Sequence, residues 1–182
     1  MLLVASAPTD SDNCVTRFMR LGVFLPNWVG DVVMATPALR TMRKFVGDGG
    51  QLIGIMRPYV AEVLAGTDWL DDRIIYDKPK NFLGVATREV YQAMRAAKLD
   101  RVILLTNSLR TAWMAWRSGA RERFGYRGQA RSLLLTNHFE QPLATDGGPL
   151  ATIDGYRQLA EAAGCEATSP RLELATTAED ES

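Results

Sequence analysis

The sequence predicts an α/β fold built on a doubly wound parallel sheet. Two observations carry this. Short, uniformly apolar runs recur along the chain, and runs without polar alternation are strands buried on both faces, as parallel strands are. Nearly every run is followed by a segment of helical periodicity, the signature of right-handed β–α crossovers that cover a sheet on both sides. No internal repeat or low-complexity tract competes with this pattern.

The elements follow in order. "LGVFL" (21–25) is the first strand. Apolar residues at Val32, Ala35, Leu39, Met42 and Val46 share one helical face, and "GDGG" (47–50) ends that helix. Pro37 lies inside it, where the missing N–H predicts a kinked or separated first part. "QLIGIM" (51–56) is the second strand; "PYVAEVLAG" (58–66) is a short helix with Pro58 in its first turn and Gly66 at its end. "RIIYD" (73–77) is the third strand, and 84–98 is helical with Val90, Met94 and Ala97 on one face. "RVILL" (101–105) is the fourth strand. The helix 108–119 begins at a capping-type Ser108 and ends at Gly119. "RERFGY" (121–126) is a fifth strand, 127–150 reads as loop with a short strand at 132–135, and 151–164 closes with a helix.

The 182 residues suffice for a core without disulfides or metals. The 21 basic and 21 acidic side chains cancel, so nucleic acid is not an expected partner. Cys14 and Cys165 stand far apart with no C-x-x-C spacing, which fits free thiols in a reducing cytosol. No run nears the ~18 apolar residues of a membrane span. Residues 1–20 read as a flexible leader and not as a signal peptide, and 175–182 as a polar, acidic tail. The ordered domain is expected over 21–174.

Ligands of doubly wound sheets bind beyond the carboxyl ends of the strands. The first such loop, "PNWVGD", is neither G-x-G-x-x-G nor G-x-x-x-x-G-K-[ST], so it offers no tight cradle for a pyrophosphate. No G-x-S-x-G is present, and the sole histidine, His138, reads as a polar surface residue. No metal site is expected; Asp71 and Asp72 precede a strand and suit a turn.

What remains at the first seam is Gly30-Asp31. Spacing alone leaves two readings of Asp31 open. It can cap the helix, although Met34 occupies the place where a capping box needs Glu or Gln. It can also serve as a general base, its ionised form favoured by the helix dipole, although Asp caps are the more frequent case. Gly30 permits close approach of a ligand, and Trp28 offers a flat face for a sugar or another domain, or is simply buried.

"LPNWVGDVVMATPALRTMRKF" resembles the N-terminal signature of the bacterial family 9 glycosyltransferases, the ADP-heptose:lipopolysaccharide heptosyltransferases. The P-[SN]-W-V-G-D form is most similar to the heptosyltransferase II type. "ILLTNSLRTAWMAWRSGARERFGYRGQARSLLL" is similar to the same family's fourth strand, helix and basic loop, and the likeness runs from about Leu21 to Leu174. The resemblance implies the Rossmann-like N-terminal half of a GT-B fold, which holds an anionic glycolipid acceptor, the lipopolysaccharide inner core. A C-terminal domain would hold the donor, ADP-heptose, and no cofactor is expected. It implies transfer with inversion and Asp31 as general base, with Asn27, Trp28 and Gly30 beside it. A cytoplasmic location is implied, with the glycolipid met at the inner face of the inner membrane. The family's donor half does not occur before Ser182, so a truncated chain, a split reading frame or one half of a two-chain enzyme is expected, inactive alone.

Arg110, Arg117, Arg121, Arg123, Arg127 and Arg131 stand against one acid, Glu122, a local charge of +5. Most read as a solvated face. As a clamp for phosphates or carboxylates the best placed are Arg110 and Arg127, near strand ends, with Arg57 after the second strand and Ser108 beside Arg110. Trp113, Met114 and Trp116 suit core or interdomain packing. Two alternatives stand beside the enzyme half: a non-catalytic glycolipid- or partner-binding remnant of the same fold, and an unrelated nucleotide-binding α/β domain.

Overall fold

The computed structural model describes residues 18–77, 84–128, 130–141, 143 and 151–175. The chain runs β1 (Arg20–Phe24), α1 (Val29–Val46), β2 (Gln51–Met56), α2 (Pro58–Val63), β3 (Asp72–Ile75) and α3 (Val85–Ala96). It continues with β4 (Arg101–Leu104), α4 (Leu109–Ser118), β5 (Glu122–Tyr126), a 3-10 turn (Arg131–Leu134), β6 (Asn137–Phe139) and α5 (Thr152–Ala162). The six strands form one sheet in the order β3-β2-β1-β4-β5-β6, every neighbouring pair parallel. This is the doubly wound architecture the sequence predicts.

Strand alternation sorts the core into two layers. Leu21, Val23, Leu52, Ile103 and Phe124 face one side, packed with Val32, Ala35, Leu39 and Met42 of α1 and Leu159 of α5. Phe24, Ile53, Ile55, Val102 and Leu104 face the other, against Val90 and Met94 of α3 and Ala112, Met114 and Ala115 of α4. Each large aliphatic side chain buried this way contributes roughly 1.5–3 kcal/mol. Gly22 lies on the second face, where an added Cβ would stand 2.7 Å from Leu99 Cδ1.

Three local expectations are corrected. Pro37 does not divide α1, which runs unbroken through it. Proline leaves the Val33 carbonyl without its usual N–H, and the Thr36 hydroxyl donates to that carbonyl at 2.8 Å instead. The helix after β2 ends at Val63, short of Gly66. The strand expected at 132–135 is the 3-10 turn, and the pairing strand lies at 137–139. Ala130 adopts a left-handed φ of 58°, turning the chain so that Arg131 enters the interior while Leu133 is 90% exposed. An apolar triplet looks like a strand, but a buried guanidinium needs carbonyl partners and sets the backbone first.

After α5 the chain returns along α1. The Thr41 and Thr168 hydroxyls lie 2.7 Å apart, and Arg40 donates to the carbonyls of Ser169 (2.6 Å) and Arg171 (2.9 Å) and pairs with Glu173. Residues 1–17 of the expected leader and 176–182 of the expected tail lie outside the described residues.

Candidate functional site

The strand order reverses between β1 and β4, and loops diverging from such a switch point leave a crevice at the carboxyl edge of a parallel sheet. Phe24 is in register with both Ile55 and Leu104, so β1, β2 and β4 end nearly level. Pairing persists one residue further through Leu25 N–H to the Ile55 carbonyl (3.0 Å) and Leu105 N–H to the Phe24 carbonyl (3.1 Å). The chain then leaves the sheet through buried Pro26 and surfaces at Asn27.

Asp31 does not cap α1. The N-cap is Trp28, which supplies no side-chain hydrogen bond, and Asp31 sits within the first turn, where the helix dipole favours a negative charge. The carboxylate is half-buried, and among the described residues it has no hydrogen bond and no ion pair. It lines a cavity of about 250 Å³ together with Leu105, Asn107, Tyr126, Thr152 and Tyr156. Around this acceptor the nearby phenols remain protonated. Burial pushes Tyr126 up to about 12, and burial followed by the charge of Asp31 raises Tyr156. The Tyr126 hydroxyl is committed to the Gly155 carbonyl at 2.6 Å, whereas that of Tyr156 makes no hydrogen bond among the described residues.

A residue not singled out from the sequence organises this wall. Arg131 is fully buried and donates to the Thr106 carbonyl (2.6 Å), the Asn107 side-chain oxygen (2.7 Å) and the Tyr126 carbonyl. Burial lowers its guanidinium to about 10, and its Nε lacks a partner among the described residues. Its only sequence signal is membership of the arginine-rich stretch, where nothing in the spacing separates it from its neighbours. Ser108 caps α4, its oxygen accepting from Arg110 N–H at 3.2 Å.

The arginines of the expected clamp do not converge as a set. Arg57 precedes α2, with its guanidinium 5.6 Å from the Tyr76 ring centre and 4.0 Å from Asp77. The charge of Arg110 also reaches Tyr76, so these two share one surroundings although 53 positions apart in sequence. Arg127 is exposed at the end of β5, two strands further along the sheet from β1, and pairs with Glu140. Arg117 lies over the rings of Tyr91, Trp113 and Trp116. Arg123 is bound to the carbonyls of Leu134 and Ala120. The Trp113 ring meets Tyr91 edge-on at 5.5 Å.

In the loop that leads into α1, Asn27 and Gly30 are exposed, and Trp28 is 76% exposed and not buried; none of the three lines the cavity. The Tyr59 hydroxyl donates to the Asn27 carbonyl at 2.5 Å, tying the loop to α2. A Cβ at Gly30 would meet no atom within 4 Å, so its lack of a side chain answers no packing need within the described residues.

Sheet order and a switch-point cavity holding a lone carboxylate define a Rossmann-like α/β domain of the kind found in GT-B glycosyltransferases. The model of glycosyltransferase family 9 (heptosyltransferase) matches residues 87–181, more than half of the chain, and the chain belongs to that family. A family 9 glycosyl transferase from Veillonella parvula superimposes with a TM-score of 0.74 at 23% identity, covering 89% of this chain and 46% of that one. ADP-heptose lps heptosyltransferase II from E. coli gives 0.67 at 21% identity, covering 90% and 48%. E. coli heptosyltransferase WaaC with ADP gives 0.64 at 15% identity, covering 82% and 49%. These likenesses show the shared fold, and the chain spans about half the length of the structures it matches. No curated protein matches the chain. Among the described residues no helix is long and apolar enough to cross a membrane.

Proposed function

We propose that this chain is the acceptor-binding, base-supplying part of a heptosyltransferase-type enzyme, one that moves heptose from ADP-heptose to the lipopolysaccharide inner core with inversion. Family membership supports glycosyl transfer. The observation that carries the finer reading is Asp31, a carboxylate at a helix N-terminus with no protein partner among the described residues, facing the switch-point cavity.

In the reaction an acceptor hydroxyl attacks the anomeric carbon from the face opposite the leaving group. Its proton passes to a carboxylate oxygen of Asp31 as the new C–O bond forms, and the bond to ADP breaks with its electron pair going to the diphosphate. The base must be ionised before the step and within reach of the hydroxyl during it. Arg57 and Arg110 supply cationic charge at the same carboxyl edge, suited to the acidic groups of an anionic acceptor. The donor and its diphosphate belong to a C-terminal domain of the GT-B type.

The test supplies that domain in trans or by fusion and compares wild type with Asp31→Asn. The expected result is a loss of roughly 10²–10⁴-fold in turnover, the range of general-base catalysis, with acceptor binding retained. Equal turnover in the two proteins would rule out Asp31 as the base.

A further inference from the structure

We propose that Asn107 is a hydrogen-bond donor to the ligand of the Asp31 cavity, and that Arg131 is the positioning residue that aims it. The inference rests on the acceptor-side reading above. Arginine carries donors only, so the Asn107 atom that lies 2.7 Å from Arg131 Nη2 must be the carbonyl oxygen. That chemistry settles the orientation of the amide, whose two ends look alike by shape. The NH2 end is thereby turned away from Arg131, and it makes no hydrogen bond among the described residues.

Asn107 is exposed and lines the same cavity as Asp31. A carboxylate that accepts and an amide that donates form a complementary pair for a hydroxylated ligand. A sugar hydroxyl can give its proton to the first while an oxygen of the same ring accepts from the second. Arg131 is equipped to hold that pair in place. It is fully buried, and its other two bonds go to main-chain carbonyls at the ends of β4 and β5, Thr106 and Tyr126. The guanidinium thus fixes Asn107 against two strand ends and not against a mobile side chain. A buried cation is costly unless its donors are satisfied, and the three bonds offset part of that cost where the ligand donor has to be rigid, Nε being left without a partner among the described residues.

The experiment titrates the 182-residue chain with a lipopolysaccharide inner-core oligosaccharide, following heat release and the side-chain amide signals of 15N-labelled protein. Asn107→Asp keeps the shape and gives Arg131 a carboxylate, but removes both donors; Asn107→Ala removes them without adding charge. Expected are at least tenfold weaker binding in both variants and a melting temperature in Asn107→Asp that is not lowered. In wild type, the amide pair absent from the Asn107→Asp spectrum should be sharp, non-averaging, and shifted by the oligosaccharide. If wild type binds and Asn107→Ala binds equally well, the donor role is overturned while the acceptor-side reading stands. If that amide pair is rotationally averaged in wild type, the positioning role of Arg131 is overturned. Failure of wild type to bind the oligosaccharide would remove the acceptor-side reading and this inference with it.

Discussion

The Tyr126 hydroxyl donates to the Gly155 carbonyl at 2.6 Å, joining the last residue of β5 to the first turns of α5 across the wall of the Asp31 cavity. The link matters because α5 also delivers Thr152 and Tyr156 to that wall. Burial holds the phenol protonated to about pH 12, so it donates throughout the working range. Tyr126→Phe keeps the ring and deletes the bond. It should cost about 1 kcal/mol of stability. Backbone amides of 152–156 should exchange faster with solvent while those of α1 keep their rates. Hydrogen exchange that is uniform between the two helices would show that the bond does not anchor α5.

Gly30→Ala separates the needs of the fold from those of the site. The residue is helical, and a Cβ there meets nothing within 4 Å. Alanine in a helix is favoured over glycine by up to about 1 kcal/mol. The variant should therefore melt at the same temperature as wild type or slightly above, yet bind the acceptor more weakly if the ligand rests on this bare turn. A destabilised variant would contradict the open space; undiminished acceptor affinity would mean that Gly30 is not a contact surface.

Arg40 fastens the segment after α5 onto α1 through Ser169, Arg171 and Glu173. Its guanidinium is mostly covered, and two of its partners are main-chain carbonyls, which water would otherwise have to satisfy. Arg40→Ala should release residues 168–173 to proteolysis and cost roughly 1–3 kcal/mol, chiefly from the lost charge-assisted bonds. Limited proteolysis with mass readout gives the answer: cleavage no faster than in wild type would mean that the Thr41–Thr168 contact and the Glu173 N–H, which donates to the Thr36 hydroxyl at 3.3 Å, suffice.

The sheet was legible in the sequence because parallel strands buried on both faces have no polar alternation to obscure them. Leu21 to Leu25, Leu52 to Met56 and Val102 to Leu105 announce themselves by composition alone. Ser108 and Gly119 marked α4 because each does something only a few residue types do, accept an orphan N–H or adopt a φ of 81°. Asp31 was singled out because it stands at the first strand-to-helix seam, although its place inside the first turn and not at the cap depends on where Trp28 starts the helix. Arg131 was hidden. A buried arginine is written with the same letter as the exposed Arg121 and Arg127 and the ring-stacked Arg117, and only the left-handed turn at Ala130, outside any regular pattern, sends it inward. The same turn converted the expected strand at 132–135 into a 3-10 turn, so one backbone feature accounts for both misreadings. Thr36 shows the converse. Its hydroxyl rescues the carbonyl orphaned by Pro37, a pairing that a rule about proline alone does not contain.

Tyr156 reports the charge of Asp31. Both groups line one cavity, and the phenol is raised first by burial and then by the carboxylate. A raised phenol means that the folded state prefers the neutral form. Its contribution to stability is therefore fully present below the ordinary tyrosine value near 10 and is lost as pH climbs through the higher folded value. Asp31→Asn removes the smaller cause and leaves the larger. Tyr156 should then ionise at lower pH than in wild type, but still above a free tyrosine. Phenolate absorbance titrations of wild type and Asp31→Asn, each subtracted from its Tyr156→Phe counterpart, isolate the one curve among five tyrosines. The order expected from low to high pH is free tyrosine, Asp31→Asn, wild type. A curve unmoved by Asp31→Asn would mean that the carboxylate's field does not reach the phenol, and that the two do not share the cavity as a working pair.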